Sequence, residues 1–312
     1  MIENFKKLIE DFDKIIIFRH QVGDGDALGS QWAMYYYLKE KYPNKEIYAV
    51  GDETLGYENL FQHPHLIEDD KFTDALAIIM DTANKERISD SRFKLCKSIV
   101  KIDHHIKVDN YGDLEFVFPT VTSTAEIVTN LLRVIENNEP LSLKVANNLY
   151  VGLISDTQQF SIPGVNEDTF KTAAYLSKSN IEPGVLSRKL NEIDMEMFKF
   201  KNSISSDIVV DKRGLAYVKI TNDHLKNFHL SHSQAKRNVN LMKNIEGINV
   251  WVLFIEQKDQ PNVFDASIRA NDVEINDIAQ KFGGGGHKFA SGVKNLDCDS
   301  LLQLIESIKA KL

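Results

Sequence analysis

The first half of the chain carries carboxylates and imidazoles at four points, each directly after a short apolar run. Residues 14–18 lead into Arg19-His20-Gln21-Val22-Gly23-Asp24-Gly25-Asp26, 76–80 into Asp81, 99–102 into Asp103-His104-His105, and 149–154 into Ser155-Asp156. Singly, each has an ordinary reading: Asp26 as the N-cap of a helix beginning at Ala27, Asp81 and Asp156 as turn residues after strands. Capping, however, calls for neither the second carboxylate Asp24, nor His20, nor the tandem His104-His105. Divalent metal does call for such a set, and mixed carboxylate and imidazole donors suit a hard to borderline ion such as Mn²⁺. Bound cations would also relieve the repulsion among close carboxylates. His20, Asp24, Asp26, Asp81, His104 and Asp156 make six side-chain ligands, too many for one open catalytic ion and suited to two ions about 3.5–4 Å apart. One carboxylate must then bridge, and Asp81, alone on its strand, is the natural candidate.

These residues meet only if the backbone delivers them to one edge. Strands are expected at 14–18, 46–50, 76–80, 99–102 and 149–154, alternating with helices at 27–42, 123–136 and 141–148, the pattern of α/β layering on a parallel sheet. The carboxyl ends of such strands share the ligand crevice. Ser123, Thr124 and Glu126 read as a capping box opening the second of those helices. Glu182-Pro183-Gly184 breaks the chain before a charged amphipathic stretch, 185–205, expected as a connecting helix or helix pair. Beyond it lie strands flanking 211–214, a helix near 231–244, strands at 248–256 and 264–270, and helices at 275–282 and 300–312. The expected organisation is an α/β domain over 1–185 with a mostly parallel, doubly wound sheet, a helical linker over 186–205, and a smaller α/β domain over 206–312.

The second domain holds one further chemical feature. Gly283-Gly284-Gly285-Gly286 carries no side chains, so Gly284, Gly285 and Gly286 let backbone N–H groups approach an anion, with His287 as a cationic donor and Arg269 upstream as a bidentate phosphate grip. A plain flexible loop is the ordinary reading of that run. His63 and His65 flank Pro64 in a polar loop and read as solvent-facing, while Trp32, Tyr35 and Tyr36, like Met195 and Met197, read as packing.

Composition bounds the partners. The 312 residues are 43% hydrophobic, which excludes a disordered or fibrous chain, and 37 Lys+Arg against 45 Asp+Glu leave a net charge of −8. That balance offers no basic track for a long nucleic acid. Two cysteines, Cys96 and Cys298, form neither a disulfide framework nor a zinc ribbon, and no apolar run has the length of a membrane helix. A cytoplasmic location without membrane contact is the expectation.

Asp103-His104-His105 with the upstream His20…Asp24-x-Asp26 resembles the DHH phosphoesterase superfamily. Ser267-Ile268-Arg269 with the 283–292 run GGGGHKFASG resembles its associated DHHA1 substrate-binding domain. The motifs fall in the family's order over nearly the whole chain, and the architecture resembles the bacterial nanoRNase and pAp-phosphatase group and its relatives acting on cyclic di-AMP or pApA. The resemblance implies a hydrolase of the phosphodiesterase or 3′-5′ exonuclease type, with two Mn²⁺ per chain and Mg²⁺ as the other metal to consider. His20, Asp24 and Asp81 would hold one ion, and Asp26, Asp81, His104 and Asp156 the other. Asp103 would orient the histidines, His105 would face the phosphate, and Arg269, Gly284, Gly285, Gly286 and His287 would contact substrate. The glycine-rich domain would close over a terminal phosphate or base.

The implied substrates are short RNA or DNA oligonucleotides or dinucleotides, cleaved to mononucleotides, with pAp and cyclic di-AMP as further members; a homodimer is compatible with this reading. Two departures bear on substrate choice: Gly23 stands where the family usually carries proline, and Gln158-Gln159 follow Asp156-Thr157 where relatives commonly have glycine and a basic residue. An inorganic pyrophosphatase or polyphosphatase of the same superfamily would share every metal ligand. A non-catalytic nucleotide-binding regulator would have no need to keep all six.

Overall fold

The computed structural model describes residues 1–54 and 56–312. The chain divides into two units, Met1–Glu192 and Ile193–Leu312. In the first unit, β1 (Lys14–Phe18), β2 (Glu46–Ala49), β3 (Leu76–Met80), β4 (Ser98–Asp103) and β5 (Leu114–Val117) form one fully parallel sheet in the order β2-β1-β3-β4-β5. β1 (KIIIF) and β3 (LAIIM) are nearly continuous β-branched and aliphatic runs, as strands buried on both faces require.

The helices are α1 (Ile2–Asp11), α2 (Gly25–Lys41), α3 (Thr124–Ile135), α4 (Leu143–Asp156), α5 (Glu167–Ser177) and α6 (Pro183–Asn191). Their apolar residues pack with Ile15, Ile17, Ile78, Val100 and Ile102 on one face of the sheet. The opposite face, with Ile16, Phe18, Ala77 and Ile79, is covered by Phe72, Ile88 and Phe93 from short 3₁₀ turns and the loops beside them.

The sequence expectation fails at 149–154, which is the second half of α4 and not a strand. Leu149-Tyr150-Val151-Gly152-Leu153-Ile154 is buried throughout, and a short apolar run has no periodicity that separates a buried strand from a buried helix. The burial comes from contact with α2 and α3. A methyl placed on Gly29 would lie 2.5 Å from the Asn148 carbonyl oxygen, and one on Gly152 would lie 2.7 Å from Ala125 Cβ. The helices meet backbone to backbone.

The second unit is built on the sheet β10-β11-β9-β8-β7-β6: β6 (Val209–Val210), β7 (Leu215–Ile220), β8 (Val250–Glu256), β9 (Phe264–Ala270), β10 (Gly285–His287) and β11 (Ala290–Leu296). Only β7 and β8 pair in parallel. Helices α10 (Asn276–Lys281) and α11 (Cys298–Lys311) cover one face; α7 (Met195–Ser205), α8 (Asn222–Asn227) and α9 (His232–Lys236) cover the other. The stretch 231–244, expected as one helix, is α9 followed by a 3₁₀ segment, Arg237–Met242. Among the described residues, no helix is long and apolar enough to cross a membrane.

Candidate metal centre

Each of the acidic and imidazole clusters lies where an element ends. His20 follows β1 and is held by a bridge to Ile88. Asp24, and not Asp26, is the N-cap of α2: its Oδ1 accepts from the amides of Asp26 and Ala27 at 3.2 and 3.1 Å, and its Oδ2 lies 3.7 Å from His20 Nε2. Asp26 sits buried in the first turn of α2, where both its oxygens accept from the start of α3, Oδ2 from the Thr124 amide at 2.7 Å and Oδ1 from the Ala125 amide at 2.8 Å. Two helix N-termini therefore aim their positive ends at these carboxylates.

Asp81 follows β3, the middle strand, with φ of 51°, a left-handed conformation uncommon for a residue with a side chain. Its Oδ2 is 3.4 Å from His20 Nε2, while its Oδ1 is 3.5 Å from His104 Nε2 and 3.4 Å from His105 Nδ1. The Thr124 hydroxyl donates to the same Oδ1 at 3.0 Å. His104 Nε2 lies 3.2 Å from Oδ2 of Asp156. Asp156 thus arrives from the C-terminal end of α4, whose negative end also favours a cation. Asp103 Oδ1 accepts from the backbone amide of His105 at 3.1 Å and from its Nδ1 at 2.8 Å.

Three sets of donor atoms each gather within 4.8 Å: His20, Asp24 and Asp81; Asp26, His104 and Asp156; Asp81, His104 and His105. All six expected ligands come together, and Asp81 belongs to two sets. His105, which the resemblance gives to the phosphate, also sits within reach of a cation.

The electrostatics are those of a site built for positive charge. Burial pulls the His20 imidazole down, but the carboxylates of Asp24 and Asp81 overcome it and hold the ring well above its ordinary value. His104 is likewise raised, burial being outweighed by Asp156 and Asp81. Burial, together with the charges of Asp24 and Asp81, pushes Asp156 up to about 6 against the pull of His104. Burial and then the charges of Asp81 and Asp156 raise Asp26. Asp81 itself is lowered, its burial outweighed chiefly by His20. The raised values of His20, His104, Asp26 and Asp156 all mark a region that favours added positive charge.

Residues outside the sequence expectation support the cluster. Arg19 is fully buried; it bonds Asp52 through its guanidinium, Gln31 Oε1 at 3.1 Å and the His20 carbonyl at 3.1 Å, and Gln31 in turn donates to the carbonyls of Ile17 and Val50. A methyl on Gly23 would lie 2.8 Å from Arg19 Nη1, so the position that departs from the family pattern is packed against this network. Gln158, Gln159 and Phe160 all have positive φ, and Ser187 donates to Gln159 Oε1 at 2.8 Å. His65 packs among Trp32, Tyr35 and Tyr48, with its Nδ1 on the backbone of Ala49.

In the second unit, Ala290 pairs with both Arg269 and His287, and directly paired residues share a face. Arg269 and His287 therefore stand on one face, two strand spacings, about 10 Å, apart. Arg269 is partly buried with Nη1 on the Ile268 carbonyl at 2.9 Å, and burial lowers its guanidinium from the usual value. Gly285 and Gly286 lie in the hairpin strand β10, and Gly283 and Gly284 lead into it. A methyl on Gly284 would meet the Gly292 carbonyl oxygen at 2.2 Å, and one on Gly286 the Ala290 carbonyl oxygen at 2.5 Å. The Gly284 amide already donates to the Ala279 carbonyl at 2.8 Å. Close packing therefore explains glycine at 284 and 286, while a methyl on Gly285 would meet open space.

This parallel sheet, with acids and imidazoles converging beyond its strand ends, defines a DHH-type phosphoesterase fold. Residues 14–153 match the DHH family N-terminal domain and residues 215–312 the DHHA1 domain, and the chain belongs to this family of hydrolases. It is 34% identical to the bifunctional oligoribonuclease and PAP phosphatase NrnA of Bacillus subtilis (strain 168), over 97% of this chain and 96% of that protein. It is 32% identical to the probable bifunctional oligoribonuclease and PAP phosphatase NrnA of Streptococcus mutans, over 92% of this chain and 91% of that one. Its fold is similar to the crystal structure of an exopolyphosphatase-related protein from Bacteroides fragilis, with a TM-score of 0.88 at 22% identity, covering 98% of this chain and 94% of that one.

Proposed function

We propose that the chain hydrolyses phosphoester bonds in oligoribonucleotides of roughly two to five residues, a length that local contacts can hold without an extended basic track, and removes the 3′ phosphate of pAp. The observation that carries this reading is the convergence of His20, Asp24, Asp26, Asp81, His104 and Asp156 in two donor sets beside Asp81, together with likeness over nearly the full length to relatives whose names give those two activities.

The donor set fits metal. Buried carboxylates outnumber the cations near them, and carboxylate and imidazole donors suit Mn²⁺, with Mg²⁺ as the harder substitute. His20, Asp24 and Asp81 would hold one ion, and Asp26, Asp81, His104 and Asp156 the second. Bound there, divalent cations supply the positive charge that acidifies an attacking water and stabilises the phosphoryl oxygens.

The remaining work falls to the chain's own residues. Thr124, donating to Asp81, and the α3 amides, donating to Asp26, hold two ligands rigid before substrate arrives. Asp103 orients His105 through Nδ1, holding the ring beside Asp81, where a phosphoryl group would meet the ions. In the second unit, Arg269 and His287 contribute phosphate recognition, the planar guanidinium offering paired N–H donors.

Metal-stripped protein with Mn²⁺ added back, incubated separately with pApA, cyclic di-AMP, pAp, a five-nucleotide RNA and pyrophosphate, tests the proposal by chromatography of products. AMP from pApA and pAp, with mononucleotides from the short RNA, is the expected result. Phosphate from pyrophosphate alone, or no hydrolysis despite bound Mn²⁺, would overturn it.

A further inference from the structure

Lys101 carries a charge that the proposed chemistry does not use. It lies on β4 two residues before Asp103, and its side chain is fully buried. A buried ammonium is costly unless paired and hydrogen-bonded, and a strand inside a parallel sheet needs no lysine for its ladder. Its partners account for its presence. Nζ donates to the Ala83 carbonyl at 2.8 Å and the Asp109 carbonyl at 3.3 Å. It lies 3.4 Å from Asp103 Oδ2 and 4.5 Å from the centre of the Tyr111 ring. Ala83 is on the loop that carries Asp81, and Asp109 on the loop that carries His104 and His105. One ammonium therefore ties together the two loops that frame the metal cluster, and Tyr111 adds a second tie by donating its hydroxyl to the Thr82 carbonyl.

The connection to the reacting groups runs through Asp103. Alternation along β4 puts Lys101 and Asp103 on the same face. Among the described residues, Asp103 Oδ2 accepts no hydrogen bond, so the nearby ammonium is what compensates it; Oδ1 accepts from His105. A carboxylate can only accept, so the bonded His105 Nδ1 carries a proton. We infer that Lys101 is a positioning residue for phosphoester hydrolysis: by holding Asp103 and the Ala83 and Asp109 carbonyls, it sets the orientation and Nδ1–H form of His105 beside Asp81. The inference rests on the hydrolytic reading above.

Lys101→Gln and Lys101→Met in the full-length chain test it, with Asp103→Asn alone and combined with Lys101→Gln. With Mn²⁺ and pApA, kcat is expected to fall at least about 30-fold in Lys101→Gln while KM and the number of bound Mn²⁺ stay within about threefold and unchanged, respectively. The double variant should fall no more than about threefold below the worse single, since both act through one link. In metal-free, ¹⁵N-histidine-labelled protein, the His105 ring signals should leave the Nδ1–H pattern. A kcat within threefold of wild type, additive losses in the double variant, or an unchanged His105 ring form would each overturn the inference. Should Lys101→Met not fold, Lys101→Gln, which keeps N–H donors on a shorter side chain, carries the measurements. If the wild-type chain hydrolyses none of the phosphoesters, the functional reading fails, and the His105 ring form alone decides whether Lys101 governs that histidine.

Discussion

Asp81 is the side chain on which most of the centre turns: its two oxygens face three imidazoles across 3.4–3.5 Å, and a hydroxyl holds one of them. Asp81→Asn keeps the shape and removes the shared charge. Turnover is expected to fall by about 10²–10³, the scale of losing a single electrostatic stabiliser, with one of two Mn²⁺ lost in a metal titration. Near-normal activity with Mn²⁺ would sink the two-ion assignment. The neighbours predict a pH effect of defined sign. His20, His104 and Asp156 all have folded values above their unfolded ones, so in the metal-free chain their contribution to stability is complete below the unfolded values and fades as pH rises through the folded ones. For Asp156 that window runs from its ordinary value of 3.8 to about 6; for the histidines it begins at 6.5. Metal displaces those protons, so the rise in melting temperature caused by Mn²⁺ should be larger at pH 7.5 than at pH 5.5. An equal rise at both would mean that the ions bind elsewhere.

The helices α2, α3 and α4 bring the ligands to the strand ends, and their contact surfaces explain what the sequence disclosed. The strands that precede His20 and Asp81 and the one that Asp103 ends were legible because parallel, doubly buried strands read as mostly apolar runs. So was the start of α3, because Ser123 caps it, accepting from the Glu126 amide at 3.1 Å. The second half of α4 was not legible: its burial is set by neighbours remote in sequence, and a run such as LYVGLI carries no period of its own. Asp156 was nevertheless expected beside the other acids, where it lies with Asp26 and His104, since either element would end at the same edge. The β10 hairpin was hidden for a different reason: a glycine run signals freedom, and the two residues that join β10 to β11, Lys288-Phe289, are not the usual hairpin-turn residues. The contact itself can be tested. Gly152→Ala pushes a methyl to 2.7 Å from Ala125 Cβ and 3.1 Å from Asp26 Oδ1, and overpacking of this kind costs about 1–3 kcal/mol, or roughly 2–10 °C in melting temperature for a unit of this size. Turnover should drop with it, because Asp26 must move. Gly184→Ala, inside α6 with nothing within 4 Å of the added methyl, is the matched control and should leave turnover unchanged while raising the melting temperature slightly, not lowering it.

Over the whole chain, the net charge of −8 opposes any mode of binding that gathers phosphates over a long track, while the proposed chemistry needs only a terminal phosphate and the bond to be cut. The two requirements agree only for a short substrate, and they differ measurably from a processive nuclease in their response to salt. If Arg269 and His287 are the side chains that neutralise phosphates, about two counterions are released on binding, and the slope of log(kcat/KM) against log[salt] for a short RNA should be about −1.4. Between 50 and 200 mM salt that is roughly a sevenfold loss. A chain that tracked six or more phosphates would lose on the order of 300-fold over the same range. Arg269→Ala should raise KM and flatten the slope by about 0.7 while kcat changes little, because the group binds rather than reacts. The length series gives the same discrimination independently: a five-nucleotide RNA should be cut faster than a 24-nucleotide one at equal molar concentration. Equal rates combined with a steep salt slope would require a polyphosphate-binding surface and would replace the short-substrate reading with that of a processive nuclease.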